Sequence, residues 1–390
     1  MTYWLTMENK DWEAKASLTL GRGDFSRPWR SKKIKMDMKE PLVTVVGSSN
    51  VDFVIKAKKL PQKGETVTGG IFFKAYGGKG ANQAVAAKRA GAQVNFITKL
   101  GNDIFGKEYL RYLKKTGVRM DGIIIDNSFP TGMAFIVVDR KGENQIAVSP
   151  GANTRLTPHE VGKKKVLISE AGVMLIQLEI PVETVIGALK IAKGEGILTI
   201  LNPAPVKKLS AKIFSLIDII TPNEVEASNL TGVKINDIKS AEKAGRKLLS
   251  LGVKAAVITL GAKGSVLISS CQEDFDKGNN PSLPPLSKGG NSSSPPLKKG
   301  DSGGFSKMGK VKTLHIKGIR VKAIDSTAAG DAFNGALACA LAEGINIEEA
   351  VKFANCAGAL AVTKTGAQSS LPVRREIEAL MEKNSGSRRL

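Results

Sequence analysis

The chain has 390 residues, of which 42% are hydrophobic and 24% are charged. This composition is typical of a soluble globular protein, and the length is sufficient for one large domain or two smaller ones. No apolar run reaches the ~18 residues that a membrane span needs, and the first residues lack the apolar stretch of a secretory signal. We therefore expect a cytoplasmic protein with no membrane partner.

The formal net charge of +22 raises the question of nucleic-acid binding. The basic residues are spread along the chain, without long basic runs or interleaved aromatic side chains. Such a charge distribution can steer anionic nucleotides, whereas DNA and RNA binding normally needs a concentrated basic surface. We expect no nucleic-acid partner.

The cysteines and histidines indicate neither disulfides nor a metal cluster. Cys271, Cys339 and Cys356 are odd in number and far apart, which is typical of free thiols in a reducing compartment. His159 and His315 are too few for a His-rich metal site.

Two segments have compositions that differ from the rest of the chain. Residues 1–40 are mixed in polarity without a clear period, so we predict a poorly ordered leader or an artefact of gene annotation. Residues 276–310 contain 22 Gly, Pro, Ser or Asn among 35 residues, which bury too little apolar surface to order. We predict a flexible surface insertion there, inside a single domain that covers residues 41–390.

Apolar runs alternate with helical patterns along the body of the chain. Strands are predicted at 42–46, 94–100, 173–179, 197–201, 217–220, 255–260, 265–269 and 319–324, and helices at 105–115, 182–193, 239–250, 332–341, 347–361 and 374–383. The alternation predicts an α/β fold with a doubly wound, mostly parallel sheet flanked by helices. Shorter alternating runs near 51–76 and 121–148 look like antiparallel strands and predict a separate small β-sheet.

Two polar stretches in the first quarter of the chain are candidates for ligand binding. Asn50 and Asp52 follow the first predicted strand and offer donors and acceptors suited to vicinal hydroxyls at a sheet edge. Residues 77–83 form a glycine turn before an Ala-rich helix, with Lys79 and Asn82 on one face. The spacing is not that of a Walker A loop. Each signal is weak alone, because Asn and Asp are also common in turns and caps.

The strongest functional pattern lies in residues 324–336, where small residues open an Ala-rich helix. Free backbone N–H groups at such a helix start, with the positive end of the helix dipole, favour an anion or developing negative charge. Asp331 lies there as a carboxylate placed to accept a proton, and the combination predicts phosphoryl transfer to a hydroxyl. On these residues alone, an ordinary acidic helix N-terminus is the alternative.

Five motifs together resemble the ribokinase-like carbohydrate kinases. In chain order they are residues 77–83, Asn202-Pro203-Ala204-Pro205, Thr221-Pro222-Asn223-Glu224, Thr259-Leu260-Gly261, and residues 325–331. The resemblance runs from about residue 41 to about residue 381 and is interrupted mainly by the segment 276–310. It implies a doubly wound α/β domain with a small β-sheet lid that closes over the sugar and pairs with a second subunit in a homodimer.

The resemblance also implies roles for individual residues. Asp331 matches the general base, and the N–H groups of Ala328, Ala329 and Gly330 match the anion hole. The positions that match the sugar contacts of the family are Asn50, Val51, Asp52, Gly78, Lys79, Gly80, Ala81, Asn82, Glu179 and Asp331. The positions that match its nucleotide contacts are Asn223, Thr259, Leu260, Gly261, Ala262, Lys263, Gly264, Gly330, Asp331 and Asn355.

Two metal ions are implied in the same way. Glu226 matches the position that organises Mg²⁺ through water, and the positions that resemble K⁺-binding loops are Asp325, Thr327, Ala361, Lys364, Gly366 and Ser370. The implied activity is ATP-dependent phosphorylation of D-ribose at O5, with ATP as co-substrate.

Several alternatives remain open from the sequence. The protein could be a kinase of the same fold that acts on deoxyribose, a ketohexose or a nucleoside, or, with less support, a glycosidic-bond lyase or a non-catalytic sugar sensor. Lys79 could be a solvated lysine at a helix start, and Asn355 could be a buried helix amide.

Overall fold

The computed structural model describes residues 40–270 and 311–386. The leader, apart from Glu40, and the segment 276–310 lie outside the described residues, so their predicted lack of order stays a prediction. Cys271 lies outside them as well, whereas Cys339 and Cys356 are free and buried.

Within the described residues, thirteen strands form two sheets. The strands are β1 (Leu42–Val46), β2 (Asn50–Lys56), β3 (Ile71–Gly77), β4 (Gln93–Gly101), β5 (Ile123–Asp126), β6 (Gly132–Val138), β7 (Asn144–Ser149), β8 (Val173–Gln177), β9 (Leu198–Asn202), β10 (Ile219–Ile220), β11 (Ala255–Thr259), β12 (Gly264–Ser269) and β13 (Lys312–Lys317). The main sheet has the order β13-β12-β11-β10-β9-β8-β1-β4-β5, and the small sheet has the order β3-β2-β6-β7. Seven neighbouring strands of the main sheet, from β5 to β11, are parallel, and β12 and β13 are antiparallel.

The helices follow most of the parallel strands, because parallel neighbours must be joined by a crossover connection. They are α1 (Lys79–Ala90), α2 (Ile104–Thr116), α3 (Pro158–Lys163), α4 (Lys165–Ser169), α5 (Val182–Gly194), α6 (Ala211–Phe214), α7 (Glu224–Thr231), α8 (Ile238–Ser250), α9 (Ala329–Ala342), α10 (Ile347–Ala361) and α11 (Arg374–Gly386). Among the described residues, none of these helices is both long and apolar enough to cross a membrane.

Alternate residues of the central strands pack into two separate apolar cores. Val43 and Val45 of β1 belong to the core that includes α1, α9 and α10, whereas Val46 belongs to the core that includes α5 and α8. Because successive side chains of a strand point to opposite faces, the main sheet is covered by helices on both sides. The predicted fold class is confirmed.

Three details of the strand prediction are wrong. Residues 319–324 are not a strand: the last strand is β13, which buries Ile316 against β12. β5 joins the main sheet beside β4, because Ile123 and Ile124 pack against the two opposite cores. In the small sheet, β2 pairs in parallel with β6, although the short runs suggested antiparallel neighbours.

Candidate active site

A cleft of about 200 Å³ opens where the parallel strands β9, β10 and β11 end. This is the edge of an open α/β sheet at which ligands normally bind. The cleft is lined by Lys79, Asn202, Ala204, Thr221, Asn223, Glu226, Thr259, Ser326, Ala328, Gly330, Asp331 and Asn334. Seven of these residues are in the set proposed from the sequence, and those seven come from four separate stretches of the chain.

Asp331 lies in the first turn of α9 with its carboxylate buried against α1. Asn82 donates to its Oδ2 atom at 2.9 Å, and Gln83 donates to its Oδ1 atom at 2.9 Å. The two helices approach closely at Gly335, where a Cβ atom would lie 2.6 Å from the backbone nitrogen of Ala87. The family resemblance predicts that Asn82 contacts the sugar. The structure shows that the Asn82 side chain also donates a hydrogen bond to Asp331.

The start of α9 has an unusual backbone conformation at Ala328, whose φ of 60° is the only positive φ outside glycine among the described residues. Such conformations are uncommon for L-residues and cluster at functional sites. The N–H of Ala329 donates to the carbonyl of Ser326 at 3.3 Å, a long hydrogen bond within the turn. The N-terminus of α9 opens into the cleft beside Asp331.

Two carboxylates that are not part of the cleft lining, those of Asp52 and Glu179, lie on the side where Lys79 borders the cleft. Burial first, and the neighbouring Glu179 second, raise the pKa of Asp52 from 3.8 to about 7. Glu179 accepts hydrogen bonds from the backbone N–H of Lys79, at 2.9 Å, and from the hydroxyl of Ser48. The pKa of the Lys79 ammonium is raised, mainly because Asp331 attracts the positive charge, with smaller effects from Glu179 and Glu226. Lys79 is thus a half-buried cation near carboxylates, and its role in the site stays a prediction.

The glycines of the turn at 77–80 permit close packing against the loop after β1. Gly78 has a φ of 88°, and a Cβ atom there would lie 2.8 Å from the backbone nitrogen of Asn50. A Cβ atom at Gly80 would lie 2.5 Å from the backbone nitrogen of Ser48. Ala81 donates its N–H to the Ser48 carbonyl at 2.9 Å. These contacts bring the start of α1 next to β2, which carries Asn50, Val51 and Asp52.

Asn50 is fixed by a residue that the sequence did not single out. Asn153 donates to the Oδ1 atom of Asn50 at 2.8 Å and accepts from the N–H of Ser49 at 2.9 Å. All three side chains are buried. Asn50 therefore has a fixed orientation at the start of β2.

The opposite end of the cleft is more exposed. Asn223 and Glu226 form a capping box at the start of α7, in which Asn223 accepts from Glu226 N–H at 2.8 Å and Glu226 accepts from Asn223 N–H at 2.9 Å. Burial raises the pKa of Glu226. Beyond Leu260, an exposed turn of Gly261, Ala262 and Lys263 leads into β12 at Gly264. Asn355 on α10 donates to the Ser265 hydroxyl at 3.1 Å, beside this turn.

The residues proposed for K⁺ come from two loops that Asp325 joins. Its carboxylate accepts from the N–H of Thr327 at 2.9 Å and from the N–H of Gly366 at 2.8 Å. Burial acts to raise the pKa of Asp325, but these hydrogen bonds outweigh it and the pKa is lowered. Ala361 accepts from Lys364 N–H at 3.2 Å, and Ser370 donates to the Ala367 carbonyl at 2.8 Å. Among residues 40–270 and 311–386, no cluster of three His, Cys, Asp or Glu could hold a metal ion.

Comparison with known proteins decides the family. The model of the pfkB family carbohydrate kinases matches residues 40–280 and 297–374. The chain belongs to this family. It is similar to a ribokinase of Haemophilus influenzae, with 42% identity over 87% of this chain and 98% of that protein.

Solved structures agree with this assignment. A ribokinase of Thermotoga maritima matches with a TM-score of 0.70 and 35% identity, over 88% of this chain and 100% of that one. A ribokinase of Arabidopsis thaliana, solved with ribose and ATP, matches with a TM-score of 0.73 and 30% identity, over 88% and 99%. The large, mostly parallel sheet and the separate small sheet of this carbohydrate kinase match those structures.

The sequence missed a set of buried polar residues beneath Asp331. Gln83, Asn202, Thr221 and Asn334 lie in candidate functional stretches of the sequence but were given no role there, and Gln177 lies outside those stretches. Gln177, Asn202 and Thr221 stand at or directly after the ends of β8, β9 and β10. A polar residue at the end of a buried strand was the sequence signal that could have identified them. Their partners depend on how α1 and α9 pack over the sheet edge, which no local pattern reveals.

Proposed function

We propose that the protein is an ATP-dependent ribokinase, which transfers the γ-phosphoryl group of ATP to the 5-hydroxyl of D-ribose. The observation that carries this proposal is the position of Asp331, a buried carboxylate at the start of α9 that faces the cleft. It lies between an end rich in hydrogen-bonding groups and an end formed by strand-edge turns. The similarity to ribokinases supports the choice of sugar.

In the proposed reaction, Asp331 accepts the proton of the sugar hydroxyl as that oxygen attacks the γ-phosphorus. The amide donors of Asn82 and Gln83 hold the carboxylate in place while leaving lone pairs free on both oxygens. The helix dipole at the start of α9 and the Lys79 ammonium stabilise the charge on the transferred group. Positioning and electrostatic stabilisation supply most of the catalysis in such reactions.

The sugar is selected by polar groups that are already fixed in place. Asp52 and Glu179 can accept from its hydroxyls, and Asn50 and Asn82 offer amide groups. The Oδ1 atom of Asn82 is buried and has no partner among the described residues, so a sugar hydroxyl would satisfy it. A site of this kind rejects analogues that lack a hydroxyl, because its buried groups are then left unpaired.

The nucleotide is proposed to lie along the strand-edge turns, with its adenosine towards Asn223, residues 259–264 and Asn355. Mg²⁺ would supply positive charge that neutralises the phosphates. Glu226 fits the role of holding this ion through water, because its carboxylate is buried in the cleft near Lys79 and Asp331. The capping bond from the Asn223 N–H uses only one of the two carboxylate oxygens of Glu226.

K⁺ is proposed to bind between the two loops that Asp325 joins, largely through the backbone oxygens of Thr327, Ala361, Lys364 and Gly366, with the hydroxyl of Ser370. Asp325 fits this role, because it is a carboxylate with a lowered pKa that already gathers both loops. A bound K⁺ would supply positive charge that holds together the loop before α9 and the loop around Gly366, which Asp325 joins.

A homodimer through the small sheet also belongs to this proposal. Large apolar side chains are exposed on both faces of that sheet: Ile55, Phe72 and Phe135 on one face, and Ile71, Ile146 and Val148 on the other. A second subunit would cover one of these apolar faces, and light scattering of the purified protein tests whether a dimer forms. The cytoplasmic location and the absence of a nucleic-acid partner stay predictions from the sequence.

The test is ADP release from the purified protein with Mg²⁺ and ATP, measured with D-ribose, 2-deoxyribose, fructose and adenosine, each with and without K⁺. We expect turnover selective for ribose and raised by K⁺. Preference for one of the other substrates would overturn the assignment to ribose but keep a kinase. A lack of turnover with every substrate would contradict the proposed activity.

A further inference from the structure

Beneath Asp331, buried amide side chains form a continuous hydrogen-bonded layer. Gln83 on α1 donates to Asp331 at 2.9 Å and to the Oδ1 atom of Asn202 at 3.0 Å. Its Oε1 atom accepts from Gln177 at 2.6 Å. Gln83, Gln177 and Asn202 are 0%, 1% and 7% exposed, respectively. The layer therefore lies between the ends of two parallel strands and the catalytic helix.

The orientation of the Gln83 amide is fixed by its surroundings. The nitrogen faces two oxygen acceptors, and the oxygen faces a donor nitrogen of Gln177. A flipped amide would place its oxygen against the Asp331 carboxylate and against Asn202 Oδ1, which would lose both hydrogen bonds. The side-chain amide of Asn202 is fixed in turn, because its nitrogen donates to the Thr221 carbonyl at 3.0 Å.

The layer also reaches the backbone at the start of α9. Thr221 donates through its hydroxyl to the Oδ1 atom of Asn334 at 2.6 Å. Asn334 donates to the Gly330 carbonyl at 2.8 Å. One chain of buried hydrogen bonds thus connects the Asp331 carboxylate with the peptide next to it in the helix start.

We infer that Gln83 is a positioning residue for the base: it holds the Asp331 carboxylate in the plane that faces the sugar hydroxyl, and Gln177 and Asn202 hold Gln83. This inference rests on the proposed function, since it assumes that Asp331 takes a proton from the substrate. A carboxylate on a helix turns freely about two side-chain bonds, and one N–H donor on each oxygen removes that freedom. Even a small misalignment of a reacting group lowers the reaction rate strongly.

A purely structural role predicts different behaviour. Gln83 would then be a satisfied amide in the core, and its loss would lower stability and impair every property of the site together. A residue that acts through Asp331 affects the chemical step and loses its effect when Asp331 can no longer act as a base. The two roles are therefore separable by a double-mutant cycle.

The experiment uses Gln83→Met, Asp331→Asn and the double variant, purified from a host without its own ribokinase. For Gln83→Met we expect kcat to fall about 10- to 100-fold, with ribose and ATP dissociation constants within about threefold of wild type. In the Asp331→Asn background, the same substitution should change the residual kcat less than about twofold. An equal loss in both backgrounds, a loss confined to KM, or an unchanged kcat would overturn the inference.

Two further variants complete the test. Gln177→Met removes the donor to Gln83 without touching Asp331, so it should also lower kcat, by a smaller factor than Gln83→Met. An unchanged kcat would contradict the role of the layer, even if Gln83→Met does not fold.

Asn95→Leu is the matched control, because Asn95 is a buried amide that bonds Thr44 and Leu167 away from the cleft. Turnover of ribose by the wild-type protein in the same assay tests the proposed function separately. If ribose is not a substrate, the cycle is run with the sugar that is.

Discussion

The two ends of the cleft are built in different ways. At the end proposed for the sugar, Asn50, Asn82 and Asp331 are 7%, 6% and 5% exposed, and each makes a hydrogen bond to another side chain. At the end proposed for the nucleotide, Asn223 and the turn at 261–263 are exposed. A buried, bonded site fixes which hydroxyls fit, whereas an exposed turn can adapt to its ligand. We therefore expect substitutions at the sugar end to have larger and more specific effects.

The largest effect is expected at Asp331. Asp331→Asn keeps the shape and the first-turn position but removes the proton acceptor, so kcat should fall about 10²- to 10⁴-fold. Ribose should still bind, which calorimetry measures. Asp121→Asn, at an exposed carboxylate outside the cleft, serves as the control and should keep full turnover. Near-normal turnover by Asp331→Asn would rule out the base assignment.

A pair of glycine substitutions compares the two ends directly. Gly78→Ala would place a Cβ atom 2.8 Å from Asn50 N at a φ of 88°, so it should raise the ribose KM at least about tenfold and lower stability by about 1–3 kcal/mol. At Gly261, with a φ of 53°, a Cβ atom would meet no described atom within 4 Å. Gly261→Ala should cost about 1–2 kcal/mol of backbone strain and change the ATP KM little. Equal effects on the two KM values would refute the contrast.

The pH dependence should also differ between the two substrates. Since burial and Glu179 raise the pKa of Asp52 to about 7, its ionised fraction, and with it kcat/KM for ribose, should rise about tenfold from pH 6 to pH 8. The ATP KM should stay nearly flat over this range. Asp52→Asn should weaken ribose binding and abolish the pH dependence. A ribose profile that is the same in wild type and Asp52→Asn would exclude Asp52 as its source.

Stability gives a second readout for Asp52. An acid whose pKa is raised on folding stabilises the native state only while it is protonated, so its contribution is lost as pH rises from 3.8 towards about 7. Asp52→Asn should therefore raise the melting temperature at pH 8 and change it less at pH 4. An equal shift at both pH values would contradict the raised pKa.

The smallest effect is expected at Asn223, whose side chain caps α7. Asn223→Ala should lower stability by about 1 kcal/mol, whereas Asn223→Ser should retain the cap. If Asn223 also contacts the nucleotide, both variants should raise the ATP KM a few-fold and leave the ribose KM unchanged. An ATP KM that changes only in Asn223→Ala would assign the residue to capping alone.

The sequence predicted the order of the elements well, because a parallel sheet with helices on both faces leaves a strong alternating pattern. It failed where two patterns look alike. The run 319–324 alternates as well as β13 does, but only β13 has a partner strand in β12. Likewise, the sequence of Ile123–Asp126 is typical of a short, exposed strand and predicts a place in the small sheet. Only the packing of this strand against both cores places it in the main sheet.

At the site, motif residues were predictable and their supporting contacts were not. Asp331, Lys79 and Glu226 stand in distinctive local patterns and line one cleft. Gln83 stands in a motif too, but its role depends on Gln177 and Asn202, which are 94 and 119 residues away in the chain. Single-residue patterns carry no information on such pairings, which arise from the way α1 and α9 pack over the sheet edge.

The measurement that tests the central claim most directly is the position of the phosphate in the product. Uniformly ¹³C-labelled ribose is incubated with the protein, Mg²⁺ and ATP, and the ¹³C spectrum of the product is recorded. If the sugar end holds ribose with its 5-hydroxyl against Asp331, the C5 resonance should show coupling to phosphorus. Coupling at C1 instead, or release of ADP with unmodified ribose, would contradict the account.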